Sequence, residues 1–284
     1  MKFAYAICGA ALLASAAAAE AETAALPATT SGPPGEAALA PRLIRAHSNL
    51  HIEYTDYSKL YGDRAVLTAD SRLGIGSPTR FTFSLSQGQR RAPDHKSRAT
   101  RAEAGVGHDW TDRLTTHTSV SLATNGSVFA KKRLSQDVSY EVAKGLVGTV
   151  GGEYSSYGNR NTVTNWSAGG AYYVPGAMVS YRFNLYDSNR FGHSHAHLAS
   201  VRVKDPGGSG STRLWVGRGT SLYEVDVPGN PTGRFTSVAL MRSQPIGGGV
   251  ALEIGLNRAW YDTPTGSYRG TGLVTGLSFS GAPF

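Results

Sequence analysis

The stretch "HSHAH" spaces three imidazoles, His193, His195 and His197, two residues apart. Successive side chains of an extended strand point to opposite faces, so all three would project from one side, roughly 6 to 7 Å apart. Two of them, with a third group from a neighbouring strand, could hold zinc or copper. No carboxylate or cysteine spacing accompanies them, so the bland reading is a solvated or lipopolysaccharide-facing rim, and no metal is assigned.

A second short feature, "THTSVS", sets His117 two residues before Ser119. A base beside a hydroxyl is what an acyl-transferring nucleophile requires. The pair is similar to those of outer-membrane phospholipases and lipid A deacylases. Those enzymes work at the lipid-facing wall, where the acyl chain arrives. Here Thr116, Thr118, Val120 and Leu122 take the apolar parity, and His117 and Ser119 take the other. A third triad member is also missing, so no catalytic residue is assigned.

The remaining chemistry lies in charges of both signs. Glu53, Arg64, Arg72, Arg80, Glu103, Glu141, Glu153, Arg182, Arg213 and Glu253 share the polar parity of strand-like segments, with His51, Asp70 and Asp137 among them. On adjacent strands such charges either cross-pair and fill an interior or line a wet passage that selects solutes by charge. A separate basic group, Arg90, Arg91, Lys96, Arg98, Arg101, Lys131, Lys132 and Arg133, falls in stretches read as outer loops. There it would face outer-leaflet phosphates or an anionic polysaccharide.

The elements that must position these groups are strands. In "AMVSYRFNLYD", Ala177, Val179, Tyr181, Phe183 and Leu185 alternate with Ser180, Arg182 and Asn184. The same two-faced pattern recurs in "RFTFSLS", "DVSYEV" and "VALEIGLN". About 14 segments are read this way: 49–57, 64–74, 79–89, 100–110, 113–123, 132–143, 146–156, 163–174, 177–187, 194–203, 212–219, 234–243, 249–259 and 270–279. Most approach the ~9 to 11 residues a tilted strand needs to cross a bilayer, against ~5 or 6 for a soluble strand. Tight turns at "GSP", "TD", "KG" and "PG" alternate with longer connections beginning at Arg90, Thr124, Thr220 and Tyr261. Trp110, Trp166, Tyr172 and Trp260 fall near strand ends, where interfacial girdles sit. These features predict an all-β fold, a transmembrane antiparallel up-and-down β-barrel, with lipid against Val179, Tyr181, Phe183 and Leu185 and the lumen against Arg182. A secreted β-sandwich is the soluble alternative.

The chain has 284 residues and a formal net charge of +8. Residues 1–19 combine Lys2, an apolar run and a small-residue tail, the pattern of a cleaved secretory signal. Residues 20–46, rich in Ala, Pro and Thr, read as a flexible periplasmic linker, leaving 47–284 for the barrel. The single cysteine, Cys8, lies within that signal, so the exported chain has no disulfide to hold it together. Export also excludes nucleic acid as a partner, and no cofactor motif is present.

The segment "HIEYTDYSKLYGDRAVLTADSRLG", His51 to Gly74, resembles the opening of the YaiO family of outer-membrane β-barrels. The C-terminal "GLVTGLSFSGAPF" resembles the closing strand read by the barrel assembly machinery, although Gly281, Ala282 and Pro283 interrupt the alternation before Phe284. The resemblance implies a barrel from His47 onward and brings no defined catalytic site. Some relatives carry the barrel behind helical repeats and are associated with polysaccharide export; here only the short 20–46 segment precedes it. The function expected is a passive channel or export-associated pore for small solutes or glycan. A filled, structural barrel is the alternative. Outer-membrane lipid, lipopolysaccharide and the assembly machinery are the expected partners.

Overall fold

The computed structural model describes residues 44–58, 61–75, 78–93, 95–157, 161–208, 210–222, 232–263 and 266–281. The readings of a signal over 1–19 and of a linker up to residue 43 lie outside these residues.

Fourteen antiparallel strands close into one barrel in which each pairs with its sequence neighbours and the last returns to the first. They are β1 (Ile44–Tyr57), β2 (Asp63–Ile75), β3 (Thr79–Ala92), β4 (His95–Asp109), β5 (Leu114–Ala123), β6 (Lys132–Ala143) and β7 (Leu146–Ser156). The second half follows as β8 (Thr162–Val174), β9 (Ala177–Ser188), β10 (Gly192–Lys204), β11 (Ser211–Leu222), β12 (Thr232–Gly247), β13 (Val250–Thr263) and β14 (Gly266–Ser280). Closure runs through β1 and β14, with His47 opposite Ser280 and Tyr57 opposite Gly270. It removes the unpaired edge that an open sheet would expose to lipid.

An even strand count places both chain ends at one rim, termed here the terminal rim; the opposite one is the distal rim. In bacterial barrels the terminal rim carries the short turns and faces the periplasm. The two-residue turn at Lys144–Gly145 illustrates the requirement: Gly145 sits at φ +76°, which L side chains rarely adopt. Strand β1 begins at Ile44, five residues ahead of the strand read from sequence and three ahead of the barrel boundary at residue 47, because Ile44 and Ala46 already pair with Ile75 and Leu73.

Two stretches read as long outer loops are tight hairpins instead. Strands β3 and β4 pair up to Ala92 and His95, and β13 and β14 pair up to Thr263 and Gly266. Their tips are polar because the strands continue beyond the apolar band, which sequence alone makes look like loop. The longer connection after Thr124 is present, whereas 223–231 lies outside the described residues. Strand β14 ends at Ser280 with Phe279 paired to Val250, so Phe279 closes the strand.

The wall is inverted relative to a soluble protein. Leu85, Leu122, Val142, Val150, Trp166 and Leu256 are more than half exposed, while the largest fully buried side chains are Ser86, Ser121 and Ser237. Apolar outside and small polar inside is the arrangement that lipid as solvent selects. Trp110, Trp166, Tyr172 and Trp260 all lie on the outer wall.

Candidate functional site: the lumen

Alternation delivers the charges inward. On β9, Val179 and Tyr181 are exposed, while Ser180, Asn184 and Tyr186 are buried and Arg182 reaches into the lumen. The lumen holds a cavity of about 540 Å³ whose lining runs from His47, Ser211 and Ser243 near the terminal rim to Tyr57, Tyr186 and Tyr261 near the distal rim. Six carboxylates line it, Glu53, Asp70, Glu103, Asp137, Glu153 and Glu253, and six arginines, Arg72, Arg101, Arg133, Arg182, Arg202 and Arg213. With imidazoles neutral, the lining has no net charge.

Among the described residues, six of these twelve charges pair across strands. Arg182 on β9 donates to Asp137 on β6 at 2.5 Å and to Ser167 on β8 at 2.7 Å. Gly151 on β7 makes room for this bridge, since a Cβ there would lie 1.9 Å from Asp137 Oδ1 and 2.8 Å from Arg182 Nη2. Arg133 meets Glu153 at 3.0 Å, and the Ser155 hydroxyl donates to the same carboxylate at 2.7 Å. Arg64 lies 3.5 Å from Glu53, and His51 is 3.6 Å from Asp70. At low dielectric such pairs are stronger than on a surface, and breaking one strands its partner.

Of the sequence-predicted lumen residues, Glu53, Arg72, Glu103, Glu153, Arg182, Arg213 and Glu253 line the cavity. Arg64 lies beside it through Glu53. Arg80 instead pairs with Asp109 at the terminal rim, at 2.6 Å. Glu141 accepts from the Gly145 backbone N–H at 3.0 Å and so ties the β6–β7 turn.

The basic group read as outer loops divides by parity. Arg91, Lys96, Arg98, Lys131 and Lys132 are exposed. Arg101 and Arg133 line the lumen, and Arg90 shares their inward parity on β3. Strands β3 and β4 extend further than expected, β6 begins at Lys132 as read, and a strand turns alternate residues of a basic run inward.

Two features of the distal lumen escaped the sequence reading. Val163, Tyr186, Phe191, Ala196, Phe235, Ala259, Tyr261 and Tyr268 form a buried cluster inside the barrel, with Tyr57, Tyr61 and Tyr157 against it. Tyr268 is stacked between Tyr61, at 3.8 Å between centroids, and Tyr261, at 4.5 Å. On the opposite side the connection after β5 folds inward, burying Val128 and Phe129 against Val66 and Ala99. The Arg101 guanidinium lies 4.9 Å from the centre of the Phe129 ring. Parity was the available signal: Tyr186 alternates in phase with Arg182 and Asn184.

His117 and Ser119 both line the lumen. Buried His117 Nε2 has no hydrogen-bond partner, and the Ser119 hydroxyl bonds Ser135 at 2.8 Å. His193, His195 and His197 share one face, the outer wall, and all are exposed. His193 lies 3.2 Å from Asp187, and the Tyr181 hydroxyl lies 2.7 Å from His197 Nδ1. Among the described residues no three His, Cys, Asp or Glu side chains converge as a metal site requires.

The family model described as "YaiO membrane beta barrel domain" matches residues 47–224. Among solved structures the chain is similar to a "CymD monoaromatic hydrocarbon channel", at 7% identity and TM-score 0.60, covering 86% of this chain and 90% of that one. It is also similar to a "bacterial polysaccharide outer membrane secretin", at 10% identity and TM-score 0.53, covering 84% and 99%. An anion-selective porin from Comamonas acidovorans matches at 10% identity and TM-score 0.46, covering 84% and 99%. At these identities the likeness bears on the fold alone, which is that of outer-membrane barrels.

Proposed function

We propose that this chain, which belongs to the YaiO membrane β-barrel family, is a passive outer-membrane channel for small polar solutes with little preference for the sign of their charge. The observation that carries this reading is the polar cavity of about 540 Å³, lined by equal numbers of carboxylates and arginines. Rings of one sign exclude ions of that sign, whereas a balanced lining favours neutral or zwitterionic solutes. Among the described residues, buried Asn49 Oδ1, Asn165 Oδ1, Asn184 Nδ2 and Trp215 Nε1 have no partner, which supports a hydrated lumen because buried polar atoms normally find one.

Passage here needs no enzymatic step. His117 and Ser119 face the lumen rather than the acyl chains, and the Ser119 hydroxyl is engaged by Ser135, so both are read as lining groups. Glycan passage has less support, because the distal half is narrowed by stacked Tyr61, Tyr268 and Tyr261.

That narrowing favours a second reading, a structural barrel closed at its distal rim. Single-channel recording of the refolded chain in a planar bilayer separates the two. Discrete steps with a reversal potential near zero under a salt gradient are expected, with larger steps for Tyr268→Ala. A barrel that shifts on unheated gels yet stays silent in both forms would sink the channel and leave the structural role.

A further inference from the structure

The lumen lining is neutral, so the chain's net charge of +8 must reside elsewhere. Part of it lies on the outer wall of β10–β14 near the distal rim. Cross-strand register places His197 opposite Arg218, Arg218 opposite Thr236, Thr236 opposite Trp260, and Trp260 opposite Arg269. One step further out, Arg234 stands opposite Thr220 and Asp262. One step inward lies Arg258, its guanidinium 5.7 Å from the centre of the Trp260 ring.

This is not a loop surface. Arg218, Arg234 and Arg269 are exposed, and further along the outward face of these strands, beyond Thr236, Val238 and Thr271, stand exposed aliphatics: Val216 and Leu214 on β11, Leu240 on β12, Leu256 on β13 and Leu273 on β14. The guanidiniums therefore stand where hydrocarbon gives way to headgroups, with Trp260 marking the interface. Among the described residues, Arg218, Arg234 and Arg269 form no ion pair. The nearby carboxylates are engaged: Asp262 accepts from the Ser267 hydroxyl at 2.9 Å, and Asp187 lies 3.2 Å from His193. Strands spaced ~4.8 Å apart put Arg218 and Arg269 about 14 Å from each other, with Arg234 between them. Rigid strands thus present several unpaired planar donors to one interfacial ligand, and guanidinium forks match phosphate oxygens in pairs.

We propose that this face binds the phosphorylated headgroup of an outer-leaflet glycolipid, with Arg218, Arg234 and Arg269 as the phosphate contacts and Trp260 against the sugar or upper acyl region. The basic patch across the barrel is a weaker candidate, since Arg98 already donates to Gln89 at 3.2 Å.

The test uses the full chain refolded in zwitterionic detergent, titrated with diphosphorylated lipid A and followed by tryptophan fluorescence. Saturable binding is expected, weakened about 100-fold in the triple variant Arg218→Gln, Arg234→Gln, Arg269→Gln, since each interfacial cation contributes comparably. The triple variant Arg91→Gln, Lys96→Gln, Arg98→Gln should bind within about twofold of the parent, because it leaves the proposed contacts intact. The unheated-gel shift confirms that each variant is folded. Equal loss in both variants would show a diffuse charge effect and overturn the site, as would unchanged binding in the first. Dephosphorylated lipid A binding as tightly as the phosphorylated form would also overturn it. If inorganic phosphate alone displaces the lipid at matched concentration, the ligand is free phosphate and the glycolipid assignment fails.

Discussion

The Asp137–Arg182 bridge depends on a residue that makes no contact of its own. A methyl group at Gly151 would occupy the space of the Asp137 carboxylate and crowd the Arg182 guanidinium and the Ser167 hydroxyl. Gly151→Ala should therefore lower refolding stability in lipid vesicles by about 1–3 kcal/mol, the range for lost hydrogen bonds to charged groups. Gly148→Ala, on the same strand but facing outward with its nearest neighbour at 3.6 Å, should change it little. Equal losses in urea titrations of the two variants would attribute the effect to the strand backbone rather than to the bridge. At this scale sequence showed which charges face inward, because parity is encoded in every strand. It did not show which of them meet. Arg182 reaches across two strands to Asp137, and no local pattern records that distance.

At the scale of elements, the connection between β5 and β6 does most to shape the distal lumen. It buries Phe129 against Val66 and Ala99 beneath the Arg101 guanidinium, and Gly88 leaves the space: a Cβ there would lie 2.7 Å from the Phe129 ring. Phe129→Ala removes the anchor of this fold-back at a cost of about 3 kcal/mol. It should enlarge single-channel conductance while leaving the barrel's unheated-gel shift intact. Gly88→Val should act in the same direction by displacing the ring from the other side. Unchanged conductance in both variants would mean that the fold-back does not narrow the path. Strand number and membrane-crossing length were legible because alternation repeats fourteen times. Hairpin tips were not: beyond the apolar band a strand and a loop are both polar, so Arg90 to Ala99 read as loop although β3 and β4 pair almost to the tip.

For the whole molecule, charge is partitioned by the wall: the lumen lining is neutral, whereas the distal exterior carries unpaired arginines. The neutrality of the lining rests on six carboxylates set against six arginines, and these two kinds of group respond differently to acid. Carboxylates lose their charge as pH falls through their range, while guanidiniums keep theirs throughout the acid range. Lowering the pH can therefore move the lumen in one direction only, from balanced to positive. The reversal potential under a potassium chloride gradient should lie near zero at neutral pH and shift toward anion selectivity as the pH falls into the ordinary carboxylate range. Asp137→Asn should show part of that shift already at neutral pH, because it uncovers Arg182. Acid must act on the lumen rather than on the exterior arginines for this to hold, so the Arg218, Arg234, Arg269 triple variant should retain the full pH response. A channel whose selectivity is indifferent to pH, or whose response disappears with the exterior arginines, would place the conducting path away from this lining.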